Sequence, residues 1–333
     1  MMNPTPMQKT AIINVVGLTE SHLGTHAPAL TAFARNHGQR ALTPVFPAVT
    51  CTVQSSMLTG RSPGEHGIVA NGWFNREMND VQFWKQSNAL VQGEKIWHRL
   101  RQADASCTVA NMFWWYNMYA DVDISVTPRP MYTADGRKLP DVYSDPPELR
   151  TRLQDDLGPF PLFNFWGPAS SIASSRWIAE ASMRVHEAHD PTLMLIYLPH
   201  LDYPLQKLGP DHPDIPSHVA LIDAVVGDLL AFFESRGVRV MIVSEYGIEP
   251  VNRVVEINRV LREMSMIRVR EELGHELLDA GASRAFAVAD HQVAHVYVPS
   301  EADRRTVTER CRALDGVEAV LDVSAQRDMG LHH

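Results

Sequence analysis

Cysteine is scarce. There are three, Cys51, Cys107 and Cys311, far apart and odd in number. No CxxC pair marks a zinc ribbon and no even set marks a disulfide framework. With a polar start to the chain, this points to a reduced, cytoplasmic protein. Long apolar runs are missing too. None approaches the ~20 residues of a membrane-spanning helix, and residues 11–18 are too short for a secretory leader, so no membrane role is expected. Basic charge is in deficit, with 30 Lys and Arg against 39 Asp and Glu and a net charge of −9. A general binder of nucleic-acid polymers is thereby excluded, because it needs surplus cations to neutralise phosphates. Repeats, low-complexity tracts and charge blocks are absent as well.

What is present is globular. Hydrophobic residues make up 45% and charged ones 21% of 333 residues, enough for one large core or two smaller ones. Short apolar runs alternate with amphipathic stretches. Residues 11–16 (AIINVV), 107–112, 192–198 (TLMLIYL) and 238–244 (VRVMIVS) read as buried strands, with 285–289 and 294–298 as two more. Residues 28–37 read as a helix ended by Gly38. Residues 172–186, 221–233 and 302–314 read as helices, the second with Ile222, Val225, Val226, Leu229 and Phe233 on one face. Such alternation predicts an α/β fold, a mostly parallel sheet between helices. The proline-rich segment 125–165 reads as an insertion or lid within a single domain over 10–333.

In open parallel sheets ligands bind past the carboxyl ends of strands. Thr50 follows a proline-bearing turn and opens a short helix. Its hydroxyl sits where the helix dipole is positive, placed either to cap the helix, the plainer reading, or to attack a bound phosphate. Asn71 stands in a loop between glycines, as a turn former or a donor to a phosphoryl oxygen. His200 and Asp202 follow the strongest strand two positions apart. An extended chain would turn both to one side, as ligands of a metal, whereas a turn would make them a cap or surface pair. Glu245 follows another buried strand and suits metal coordination, acid–base work or an ion pair. His291, beside Asp290, is a further ligand candidate, while His295 reads as a hydrogen-bonded core histidine. Among Phe113, Trp114, Trp115 and Tyr116, Trp114 and Trp115 could stack a flat leaving group, although packing between sheet and helix is the plainer reading.

These segments together resemble the alkaline phosphatase superfamily, and within it the type I phosphodiesterase/nucleotide pyrophosphatase family. FPAVTCTVQSSMLTG is similar to that family's nucleophile segment, with Thr50 as the attacking threonine. EHGIVANGW is similar to its phosphate-binding loop, with Asn71 as the donor. LDYPLQKLGP and VSEYG resemble its two later metal motifs, with Asp202 and Glu245 as carboxylate ligands. The likeness runs from about residue 10 to 298. It implies an alkaline phosphatase-like fold and a two-zinc site, from which this chain departs. Val16 stands where the family has its first metal-binding aspartate, Gln206 where it has a histidine, and Glu245–Tyr246 where it has Asp-His. Gln206 and Tyr246 are therefore expected to face substrate, and His200 and His291 to supplement a divalent metal, zinc or else manganese or iron.

The resemblance implies a hydrolase of phosphodiesters or pyrophosphates acting on a small phosphorylated substrate, with Thr50 as nucleophile. Two alternatives stay open. One is a metal-site-degraded, non-catalytic member that binds a phosphorylated ligand or partner. The other is a hydrolase of phosphonates, phosphomonoesters or sulfate esters. Assembly into a homo-oligomer is also open. Members of the family generally continue beyond the point where this chain stops, with a late metal-binding histidine that lies further on than His291 and His295. A missing C-terminal portion is expected, with a strand-like 317–323 leaving an exposed or paired sheet edge near 317–333.

Overall fold

The structure, a computed structural model, describes residues 7–332, so the first six residues of the polar N-terminus and His333 lie outside the described residues. Where the sequence suggested one domain, the chain divides into two compact units. One comprises residues up to Pro44, Met57–Gly60 and Gln86–Pro250; the other comprises Val45–Ser56, Arg61–Lys85 and the chain from Val251 on.

The first unit is built on a six-stranded sheet: β1 (Thr10–Val15), β2 (Val109–Met112), β3 (Ile124–Pro128), β4 (Val142–Asp145), β5 (Leu193–Leu198) and β6 (Arg239–Val243). The spatial order is β6-β1-β5-β2-β3-β4. Every pairing is parallel except β3 with β4. Parallel pairs need long crossovers, and the apolar runs supply strands that can be covered on both faces. β2, β3 and β5 are buried at every position. The 125–165 segment, expected as an insertion or lid, thus contributes β4 and most of β3 to the sheet. Its prolines permit this because none lies within β4 and Pro128 is the last residue of β3. Asp141, just before β4, is buried and accepts two bonds from Arg150, at 2.7 and 2.6 Å, tying the strand to helix α2 (Glu148–Leu157).

The flanking helices α1 (Pro28–His37), α3 (Ile172–His189) and α5 (Ile215–Glu234) match the sequence periodicity, and α4 (Asp202–Leu208), which the sequence did not mark as a helix, joins them. α5 extends six residues N-terminal to its predicted start and is long and apolar enough, by length and composition, to cross a membrane. It packs against α1, α3, α4 and β6 through Ile222, Val225, Val226, Leu229 and Phe233.

The second unit has its own core of Leu261, Met266, Ala285, Val307 and Cys311, bordered by Ile257, Val296 and Val320. The two strands expected at 285–298 do not join the main sheet. They form a separate antiparallel hairpin, Phe286–Asp290 with Val293–Tyr297. Two connecting residues, His291 at φ +57° and Gln292, suffice for a hairpin turn and are far too few for a parallel crossover. The Phe74 ring meets Phe286 edge-on at 5.0 Å, and the Phe74 N–H donates to the Tyr297 hydroxyl at 3.1 Å. The strand expected at 317–323 is absent. Asp322 accepts from the Ala325 N–H at 3.0 Å and caps the helix Val323–Asp328, and the residues before it are irregular. A capping aspartate starts a helix at the end of the stretch read as strand-like.

Candidate functional site

The sequence-derived candidates fall into two groups, each within one unit. In the second unit, Thr50 is the first residue of the Thr50–Thr59 helix and is buried. The loop carrying Asn71 is pinned to that helix at two places. The Ser56 hydroxyl and His66 Nε2 lie 2.8 Å apart. Nearer the N-terminus, the Cys51 N–H donates to Asn71 Oδ1 at 2.9 Å. The first-turn N–H groups of a helix have no partner within it, so a loop amide here satisfies one of them and stands beside the positive end of the helix dipole.

Asn71 is held from behind as well. Asp290, the last residue of its hairpin strand, accepts from the Asn71 N–H at Oδ2 (2.7 Å) and from Asn71 Nδ2 at Oδ1 (3.1 Å). His291 Nδ1 lies 2.8 Å from the same Oδ1. His291, expected as a metal ligand, thus has its Nδ1 engaged with Asp290, placed there by its turn conformation. Asp290 was noticed in the sequence only as the neighbour of His291. Its grip on Asn71 left no local signal, because 219 positions separate the two. His295 matches its reading as a hydrogen-bonded histidine, with Nε2 3.2 Å from the Val69 carbonyl and burial lowering its pKa.

In the first unit, Asp202 begins α4. Gly17, at φ +79°, ends the turn after β1 and lets this helix approach; a Cβ there would stand 3.0 Å from Leu205 Cδ1. Asp202 Oδ2 accepts from Gln206 Nε2 at 2.7 Å, and Oδ1 accepts from the Tyr246 hydroxyl at 3.1 Å. Gln206 and Tyr246, expected to face substrate, therefore address Asp202. Glu245 is buried after β6, and its Oε1 accepts from Asn14 Nδ2 of β1 at 2.6 Å. Asn14 was not singled out in the sequence, since it interrupts an apolar strand without a motif around it.

His200 does not join these groups. Residues 199–201 form a turn, so the extended geometry that would align His200 with Asp202 is absent. The His200 ring instead lies 5.4 Å from that of His218 on α5, and its backbone N–H donates to the Ser175 hydroxyl of α3 at 3.2 Å. Burial, with a smaller push from His218, drives its pKa down to about 4, so the ring is neutral at physiological pH. Trp114 and Trp115 are likewise corrected. They are 1% and 5% exposed, and the adjacent Phe113 packs on Phe160, Phe165 and Trp177, so the aromatic run is core rather than a stacking platform.

The two-zinc site implied by resemblance does not fit the residues present. Val16 is buried and carries no donor. Both Asp202 oxygens accept hydrogen bonds from neutral side chains, and Glu245 accepts one from an amide. Among the described residues, no group of three or more His, Cys, Asp or Glu is placed to hold a metal. A zinc ligand set needs three or four such donors.

Comparison with known proteins bears on the fold and the family. The family model described as type I phosphodiesterase/nucleotide pyrophosphatase matches residues 10–325. A curated relative, an uncharacterised pyrophosphatase/phosphodiesterase of Schizosaccharomyces pombe, is 22% identical over 264 residues, covering 75% of this chain and 47% of its own length. The chain thus spans about half the length of that relative. Among solved structures, phosphonoacetate hydrolase from Sinorhizobium meliloti, in complex with phosphonoformate, superposes with a TM-score of 0.65 at 18% identity, covering 98% of this chain and 78% of that one. Murine ectonucleotide pyrophosphatase/phosphodiesterase 5, as an inactive threonine-to-alanine variant in complex with AMP, gives 0.59 at 19% identity, covering 93% and 70%. At such identities the solved structures show a shared fold, while the family model spans nearly the whole sequence. The chain belongs to the type I phosphodiesterase/nucleotide pyrophosphatase family.

Proposed function

We propose that the protein is a hydrolase of small phosphorylated substrates, cleaving phosphodiester or pyrophosphate bonds with Thr50 as nucleophile. The observation that carries this reading is the bond from the Cys51 N–H to Asn71 Oδ1, which sets an amide beside Thr50 at a helix N-terminus. The Thr50 Oγ attacks phosphorus in line, and the bond to the leaving oxygen breaks. A phosphothreonine forms, and water then cleaves it to regenerate the hydroxyl. Hydrogen-bond donors at the helix start and on Asn71 stabilise the equatorial oxygens as charge builds on them. No step is assigned to a metal, because the donor set around Asp202 does not fit one. The ligands named for the structural neighbours, phosphonoformate and AMP, support a phosphoryl or phosphonyl group as the recognised chemistry.

Thr50→Ala is expected to lower turnover of a nitrophenyl phosphodiester by at least about a thousandfold. Activity equal to wild type, with or without added Zn²⁺ or Mn²⁺, would remove Thr50 as nucleophile. A second reading is a member that binds a phosphorylated ligand without turning it over, and the engagement of both Asp202 oxygens by Gln206 and Tyr246 favours it. It predicts phosphate binding with no turnover across a panel of phosphodiester, phosphomonoester, phosphonate and sulfate-ester substrates.

A further inference from the structure

Asn71 is almost fully buried, 2% exposed, and nearly all its hydrogen-bonding capacity is spent. Its backbone N–H goes to Asp290 Oδ2, and its carbonyl accepts from the Trp84 N–H at 2.9 Å. Its side-chain oxygen accepts from Cys51 N–H, and its side-chain nitrogen donates to Asp290 Oδ1. A primary amide carries two hydrogens on nitrogen. One of them therefore has no partner among the described residues. A buried donor left in that state is costly, and native interiors rarely tolerate it without a ligand or water.

The two partners also decide which way the amide faces. Cys51 N–H can only donate and the Asp290 carboxylate can only accept. Flipping Asn71 would set an NH₂ against an N–H and an oxygen against a carboxylate, two repulsive contacts in place of two bonds. Asp290 is itself buried, 4% exposed, and its Oδ1 is additionally shared with His291. We propose that Asp290 is a positioning residue, whose bidentate hold on Asn71 directs the remaining amide hydrogen, rather than the amide oxygen, toward a tetrahedral oxyanion at the start of the Thr50–Thr59 helix. The inference rests on the reading that this helix start receives the phosphoryl group.

The test is a double-mutant cycle on phosphate binding by the full chain, using inorganic phosphate as the probe and Asn71→Ala, Asp290→Asn and their combination. Each single change is expected to weaken phosphate by about 10- to 100-fold, the usual cost of one hydrogen bond to a charged ligand. The pair should be no weaker than Asn71→Ala alone, because Asp290 acts through Asn71. A structural contribution alone would lower thermal stability and leave the phosphate affinity of the folded protein in place. Unchanged affinity in Asp290→Asn beside a weakened Asn71→Ala, or losses that multiply in the pair, would overturn the positioning role and leave the phosphoryl site standing. Wild-type protein that binds no phosphate, or Asn71→Ala and Thr50→Ala that both bind it normally, would overturn the site and the positioning role together. Should Asp290→Asn not fold, the wild-type side-chain amide signals of Asn71 decide. On phosphate addition one geminal proton should shift strongly and the other stay in place, whereas two moving together, or neither, would end the proposal.

Discussion

Single side chains decide how the family pattern is used here. At Asp202 a phenol and a carboxamide occupy the two oxygens, so the residue resembling a metal ligand is the acceptor of a neutral network. At His200 the surroundings act on a proton instead. Its pKa is lowered by burial and by His218, against a backbone hydrogen bond at Ser171 that works the other way. An unfolded histidine takes up its proton near pH 6.5, while the folded one waits until about pH 4. Between those values the unfolded chain binds more protons, so stability is full above pH 6.5 and falls with acidification through that window. The loss is up to about 3 kcal/mol. Urea titrations should show that His200→Leu flattens the stability difference between pH 6.5 and 4.5 relative to wild type; parallel curves would exclude His200 as its source. At this scale the placement of Thr50 at a helix start and of Asn71 in a loop was legible from the residues beside each. The sequence was silent about Asp290 and Asn14, because a lone Asp or Asn acquires its role only from a partner more than two hundred positions away.

Helices and strands were legible in proportion to how local their signals are. Helix α1 was bounded correctly by Pro28 at its first position and Gly38 beyond its last. What caps it was not legible, since its N-cap is Ala27, which has no side-chain acceptor. The acceptor comes from α5, where the buried Asp223 takes the Ala29 N–H at 3.0 Å and the Leu30 N–H at 2.8 Å. One turn further along α5, Gly227 allows the close approach; a Cβ there would lie 3.3 Å from the Ala29 Cβ. Asp223→Ala should therefore destabilise the fold by about 1–3 kcal/mol, leaving two helix-start donors without their acceptor. Denaturant midpoints measure this, and a change below a few tenths of a kcal/mol would mean that solvent takes over the cap. Edge strand β4 escaped for a related reason. Its pairing with β3 is antiparallel and follows a proline-rich passage, so nothing in the local pattern distinguishes it from a surface loop.

Across the whole molecule, the family assignment and the altered donor set make a joint prediction about stability. A ligand that binds only the folded state stabilises by about 2.7 kcal/mol at a hundredfold excess over its dissociation constant. For a chain of this size that raises the melting temperature by roughly 4 °C. Here Zn²⁺, Mn²⁺ and EDTA are each expected to leave it unchanged within about 1 °C. Purified protein carrying stoichiometric zinc that disappears in Asp202→Asn would show that the network around Asp202 opens to take a metal.

The second unit is assembled from Val45–Ser56, Arg61–Lys85 and the chain after Pro250. Thr50 and Asn71 leave the ribosome first, and Asp290 and its hairpin follow some two hundred residues later. Synthesis at about 5–20 residues per second makes that an interval of ten seconds or more. Throughout it the nascent chain carries Thr50 and Asn71 without the carboxylate that accepts from the Asn71 amide. A chain stalled between residues 71 and 290 therefore carries Thr50 and Asn71 and lacks the hold on Asn71, so that hold forms only after the hairpin carboxylate has been made.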